Sequence, residues 1–166
     1  MVSQKEATTL TENEQQALKT IKKYMWWSMG AGLIPFPWID VAAVSGVELK
    51  MVAAISKIYG VPFHANSDKA LIGSLVGSLV PGAISYGAAI GALKAVPVVG
   101  FVVGGTAMAT ISAATAWALG KVFIQHFESG GTFLNLNPDK VREYFKAQFE
   151  EGKKMAATTK AEETPA

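Results

Sequence analysis

An apolar stretch from Ala70 to Gly120 constrains the fold more than any other feature of this chain. Lys94 is its only charged residue, and Pro97 follows at the point where a turn would fall. Each side of this turn offers about two dozen apolar residues, enough for a helix to cross a hydrocarbon core of roughly 30 Å. The stretch therefore predicts a helical hairpin, residues 70–120, inserted into a membrane.

Small residues recur in pairs four positions apart along this stretch: Gly73 and Gly77, Gly87 and Gly91, Gly100 and Gly104. Such rows let helices approach closely in lipid, where packing rather than the hydrophobic effect drives association. We therefore expect the hairpin to pack closely on itself or on other copies, giving a homo-oligomer. Pro81 leaves one point open, because it either kinks the first arm or divides it into two short buried helices.

The composition fits a chain that is partly in a membrane and partly in water. Hydrophobic residues make up 50% and charged residues 17%, against a usual charged share of about a quarter. The net charge of +2 is too small to favour a nucleic-acid partner. The absence of cysteine excludes disulfides and thiolate metal sites.

The charge placement predicts a topology. The first residues, MVSQKEATTLTENEQQ, are polar, so no secretory signal peptide is predicted and we expect a bacterial cytoplasmic (inner) membrane protein. Of the fifteen Lys and Arg, all but Lys94 lie outside the hairpin. The positive-inside rule then places both flanks and both termini in the cytoplasm. The alternative is that the flanking helices wrap the hairpin in a soluble bundle, which has no topology.

The chain is predicted to be all-α, with about five helices in one domain. Residues 1–10 and the tail 153–166 are polar, and we expect both to be disordered. Residues 11–152 form the membrane-associated domain, in which amphipathic helices flank the hairpin. We expect Thr11 to cap the first helix and Pro37 to open the second. Glycine and proline predict helix breaks at Gly30–Asp40, at Gly60 with Pro62, and at Gly130–Gly131.

The first helix combines basic residues with paired tryptophans. Lys22 and Lys23 flank its apolar stripe, Trp26 and Trp27 lie near its end, and Trp38 follows in the second helix. Indole rings prefer the headgroup level of a bilayer, and basic amphipathic helices lie on its surface. These five residues are the predicted membrane interface, with lipids as partners. The alternative is an ordinary helix whose stripe packs into a protein core.

Few polar residues interrupt the apolar segments. Asp40 fits the positive end of the second helix, and with Glu48, about two turns further on, it is a possible contact for a partner's lysine or arginine. His64 and His126 lack a nearby cluster of carboxylates, so no metal site is predicted. Without a nucleophile–base pair or a paired-carboxylate motif, we expect neither an enzyme nor a cofactor.

Two segments carry a recognisable pattern. The first is G-L-I-P-F-P-W-I-D from Gly32 to Asp40, followed by Glu48, Met51, Ile55, Ile58 and Tyr59-Gly60; the second comprises A-A-T-A from Ala113, L-G-K from Leu119 and H-F-x-x-G-G-T-F from His126. Together they resemble a bacterial family of domains of unknown function. That family includes YcjF-like inner-membrane proteins and the C-terminal region of some Era-like GTPases. The resemblance covers roughly residues 27–149.

The resemblance implies a helical, membrane-associated module that is often encoded with, or fused to, a GTPase. A GTPase is therefore a possible partner. This chain has no G-x-x-x-x-G-K-[ST] motif, so it is not expected to bind the phosphates of a nucleotide itself.

The predicted function is that of a non-enzymatic membrane protein that self-associates through its small-residue faces and organises or curves the bacterial membrane. Three alternatives stay open. An adaptor for an Era-like or dynamin-like GTPase would dock it through Asp40, Glu48 and the last helix. A pore would line a wet path with hydroxyl side chains of the hairpin, and a soluble helical bundle would store or bind lipid.

Overall fold

The computed structural model describes residues 4–32, 37–79 and 99–162, and within these ranges the chain is helical apart from short loops. The helices are α1 (Gln4–Gly32), α2 (Pro37–Ile58), α3 (Ala65–Leu79), α4 (Val99–Glu128) and α5 (Pro138–Glu162), with a 3₁₀ turn at Phe133–Asn135. These ranges contain no strand. The all-α fold class is thereby confirmed for the described part of the chain.

Two glycines end helices as the sequence predicts. Gly60 and Gly130 have φ angles of 68° and 79°, a left-handed conformation that favours glycine. After each helix, two N–H groups return to carbonyls of its last turn: Gly60 to Lys57 and Val61 to Ser56, and Gly130 to Phe127 and Gly131 to His126. This is the Schellman arrangement, which satisfies carbonyls that the helix leaves without partners.

Helices α1 and α5 are longer than the sequence predicts. Because α1 begins at Gln4, residues 4–10 are helical, and Thr11 lies inside the helix rather than capping it. Helix α5 continues to Glu162, well past the predicted start of a disordered tail at residue 153. Gly152 and Ala156 are buried, and such small residues allow a close helix contact that a search for large apolar side chains overlooks.

Helix α4 is the centre of the bundle. It packs against α1, α2 and α5, and every residue from Ser112 to Gly120 is buried. A Cβ added to Gly152 of α5 would lie 2.8 Å from Cα of Ala114, so α4 and α5 approach nearly backbone to backbone. The small residues of this part of α4 therefore serve contacts within one chain.

Helix α1 runs antiparallel to α4. A Cβ on Gly120 would lie 2.5 Å from Cγ1 of Ile21, so the two helices touch at that level. Towards the end of α4, the Tyr59 hydroxyl donates a hydrogen bond to Oε1 of Glu128 at 3.1 Å. Burial raises the pKa of Tyr59, and both Glu128 and the charge of Glu14 raise it further. Glu14, in the first half of α1, therefore lies near the C-terminus of α4. Together with the contact between Ile21 and Gly120, this shows that α1 and α4 run in opposite directions.

The predicted membrane hairpin, residues 70–120, lies only partly within the described residues. Pro81 and the turn at Lys94 fall outside them. From Ser112 to Gly120 the second arm is enclosed by protein, which corrects the expectation that this part faces lipid. No helix in the described ranges is both long enough and apolar enough to cross a membrane.

Candidate membrane interface

Helix α1 has one buried and one exposed face. Ala17, Ile21, Met25 and Ser28 are buried at helical spacing against the bundle. Between Lys19 and Trp27, the exposed residues on the opposite side are Lys19, Lys22, Lys23, Trp26 and Trp27. With 3.6 residues per turn, these five positions fall within an arc of about 140°. The apolar stripe thus packs into a protein core, while the basic and aromatic residues stay in contact with solvent.

The tryptophan pair is the largest apolar feature of this face. Trp26 is 48% exposed and Trp27 is 64% exposed, and Leu134 is the other large apolar side chain that is exposed in the described part of the chain. Two adjacent exposed indoles on a basic helix are typical of a membrane-interface site.

The lysines of α1 differ from those of α5 in their partners. Two lysines of α5 each pair with a glutamate one turn earlier: Lys146 with Glu143 at 3.1 Å, and Lys153 with Glu150 at 2.7 Å. Within the described ranges, no carboxylate lies within ion-pair distance of Lys19, Lys22 or Lys23. Helix α1 therefore presents positive charge that the described residues do not neutralise.

From the contact between Ile21 and Gly120, the exposed tryptophans lie in the direction in which α4 runs back to its start. From the contact between Ile21 and Gly120, α1 continues for about 17 Å to Gly32, whereas α4 continues for about 32 Å to Val99, at 1.5 Å per residue. Since the helices are antiparallel, the first turns of α4 extend beyond the end of α1. We call the end of the bundle in this direction the tryptophan pole; Trp26 and Trp27 lie about 8–9 Å towards it from Ile21, and α4 begins further on, at Val99.

The glycines predicted to mediate self-association fall into two groups. Gly73 and Gly77 lie on the exposed side of α3, where an added Cβ would meet open space. The surroundings of the other four lie outside the described residues: Gly87, Gly91, Gly100 and Gly104. The side chains of Trp38 and Asp40, in the first turns of α2, also lie outside them.

Glu48 is inside the bundle rather than on its surface. Only 5% of the residue is exposed, and its Oε1 accepts no hydrogen bond from the described residues. Burial raises the pKa of this carboxyl from 4.5 to about 8. A partner cannot reach Glu48 in this position, which corrects the expected exposure of one of the two acidic docking residues. The signal was available, because Glu48 continues the row of Met51, Val52 and Ile55 at helical spacing.

Comparison with known proteins identifies the family. Residues 1–154 match the family described as Domain of unknown function (DUF697). The chain belongs to the DUF697 family. It is also 39% identical over 141 residues to "Magnetosome membrane protein 22" of Magnetospirillum gryphiswaldense, a match that covers 85% of this chain and 72% of the relative. No solved structure matches the chain.

The H-F-x-x-G-G-T-F segment of this DUF697 chain forms a loop that side-chain hydrogen bonds hold in place. Nε2 of His126 lies 2.9 Å from the Thr132 carbonyl oxygen and 3.0 Å from Oδ1 of Asn135. Both atoms are acceptors, so Nε2 carries the proton and donates. The Thr132 N–H also donates to Oδ1 of Asn135, at 2.8 Å, and a Cβ on Gly131 would collide with the His126 ring. His126 therefore holds the loop at the end of α4 that lies opposite the tryptophan pole.

An aromatic cluster supports the same loop. Phe133 is buried, with ring centres of Phe63, Phe123 and Phe127 at 5.6, 5.4 and 5.3 Å. The other histidine, His64, directly precedes α3, and its backbone N–H donates to Oδ2 of Asp68 at 2.6 Å. No group of three potential metal ligands occurs among the described residues of this DUF697 chain. The ring of His126 thus has a structural role at the end of α4.

Proposed function

We propose that this chain is a non-enzymatic integral protein of the bacterial cytoplasmic membrane, anchored by the predicted hairpin from the end of α3 through the first turns of α4. The helical bundle lies on the cytoplasmic side with both termini, and the Lys94 turn reaches the far side. The anchored chains self-associate through small-residue faces and organise or curve the bilayer.

The tryptophan pole is the observation that carries this proposal. The exposed indoles of Trp26 and Trp27 lie on the side of the contact between Ile21 and Gly120 towards which α4 begins, and the first turns of α4 extend beyond them. The chain between α3 and α4, residues 80–98, contains one charge, at Lys94. A stretch this poor in charge, on the side of the bundle towards which two exposed tryptophans lie, fits a bilayer at that end.

The relative supports the membrane assignment independently. It is described as a magnetosome membrane protein, and the match covers most of both chains. The proposed role in shaping or organising a membrane is consistent with this assignment, because a hairpin with surface helices occupies more volume on one side of a bilayer than on the other.

Single cysteines test the anchor, since the native chain has none. In spheroplasts, a membrane-impermeant maleimide is expected to label Lys94→Cys from outside, because the turn crosses to the far side. The matched variant Lys140→Cys, exposed at the start of α5, should be labelled only after lysis. Equal labelling of both positions before lysis, or release of the protein by an alkaline carbonate wash, would contradict the anchor.

Self-association is tested in the hairpin itself. Replacing Gly87 and Gly91 with leucine should prevent close helix approach and reduce the size of the detergent-extracted assembly, measured by light scattering after size exclusion. Gly30→Leu is the control, because an added side chain there meets open space. If the double variant forms an assembly of the same size as the native chain, the proposed role of these glycines is wrong.

A further inference from the structure

We infer that the exposed face of α1, formed by Lys19, Lys22, Lys23, Trp26 and Trp27, binds the anionic headgroups of a phospholipid bilayer. The inference rests on the proposed function and adds the class of lipid and the residues that select it.

The spacing along α1 matches the layers of a bilayer surface. Of these five residues, Trp26 and Trp27 lie nearest the tryptophan pole, and Lys22 and Lys23 lie about one turn, roughly 6 Å, further from it. With the indoles at the boundary between headgroups and hydrocarbon, the lysine ammonium groups reach the phosphate level. Their long aliphatic stems can follow the apolar surface while the charge stays in water.

The charges on this face favour an anionic surface over a neutral one. Lys19, Lys22 and Lys23 have no carboxylate partner among the described residues, whereas Lys146 and Lys153 of α5 are paired. The described acidic residues of α1, Glu12 and Glu14, lie towards the opposite end of the helix. A lysine near an anionic bilayer contributes about 1 kcal/mol, or about fivefold in binding.

The test uses the full chain, synthesised cell-free in the presence of vesicles and recovered by flotation. One set of vesicles is phosphatidylcholine alone, and the other contains about 30% phosphatidylglycerol, which supplies the anionic surface. The variant is Lys22→Gln with Lys23→Gln. The control, Lys146→Gln with Lys153→Gln, removes the same charge from a face whose lysines are paired. All four positions are exposed or half-buried, so the fold is retained.

The native chain and the control should prefer the anionic vesicles, and the α1 variant should lose about 25-fold in partition to them at low salt. Raising the salt to about 0.5 M should reduce the native preference in the same direction. Equal recovery of the native chain and the α1 variant on both vesicles would overturn the headgroup inference and leave the anchor standing. Failure of the folded native chain to float with either vesicle would overturn the proposed function as well.

Discussion

Replacing Glu48 with glutamine is expected to raise the free energy of unfolding at pH 8 by on the order of 3 kcal/mol. Burial raises the pKa of Glu48 from 4.5 to about 8, and each tenfold change in proton affinity corresponds to about 1.4 kcal/mol. Between low and high pH, this pKa shift therefore lowers the free energy of unfolding by on the order of 5 kcal/mol. The glutamine amide retains part of this cost, because a buried amide without partners costs about 1–3 kcal/mol.

The sign follows from which state holds the proton. The folded chain releases it only near pH 8, whereas the unfolded chain releases it near pH 4.5. The contribution of Glu48 to stability is therefore complete below about pH 4.5, decreases as the pH rises from about 4.5 to about 8, and is lost above about pH 8. Glu48→Gln should remove this dependence.

Denaturant unfolding in mild detergent at several pH values between 5 and 9 measures the effect. Glu143→Gln is the control, since this exposed carboxylate only pairs with Lys146 on the surface, and such pairs contribute about 0–1 kcal/mol. A native chain and a Glu48→Gln variant with the same pH profile would mean that the carboxyl is solvated or paired in solution.

The second large effect is expected at Gly152. An alanine Cβ there would lie 2.8 Å from Cα of Ala114 and 3.0 Å from Cβ of Trp117. The nearest atom belongs to the backbone, so α4 and α5 must move apart rather than one side chain rotate. We expect Gly152→Ala to lower the free energy of unfolding by about 1–3 kcal/mol, even though alanine is favoured over glycine in a helix by about 1 kcal/mol.

Gly46→Ala separates the steric cost of an added Cβ from the preference of a helix for alanine over glycine. Gly46 lies in the interior of α2, and a Cβ there meets nothing within 4 Å, so only the helix preference applies. Thermal unfolding followed by circular dichroism should show a higher midpoint for Gly46→Ala and a midpoint several degrees lower for Gly152→Ala. A Gly152→Ala variant as stable as the Gly46 variant would mean that the helices are not in backbone contact.

The sequence predicts where helices end better than it predicts whether a helix is surrounded by lipid or by protein. Gly60, Gly130 and Pro37 act locally, through their own backbone conformations, so their positions are read correctly. Helix α4 shows the limit, because a helix that is apolar all round has the same pattern in a bilayer and at the centre of a bundle. Only the packing of α1, α2 and α5 around it distinguishes the two for residues 112–120.

The exposed face of α1 and the core of the bundle were predictable to different degrees. The exposed tryptophans and lysines of α1 were visible from composition and spacing alone. The unpaired state of those lysines was not, because it depends on where the acidic residues of other helices lie. Gly152 was missed because it is buried by α4, a helix remote from it in sequence. Glu48 was expected to be exposed, although its place in the row of Met51, Val52 and Ile55 indicated burial.

The antiparallel contact of α1 with α4 has a consequence for the order of events during synthesis. Ile21 leaves the ribosome about a hundred residues before Gly120, so the core of the bundle depends on contacts that are remote in sequence and slow to form. The apolar segment that precedes α4 is made in between. In the proposed anchor, this segment reaches the bilayer while the buried face of α1 still lacks its partner, so membrane insertion precedes closure of the bundle.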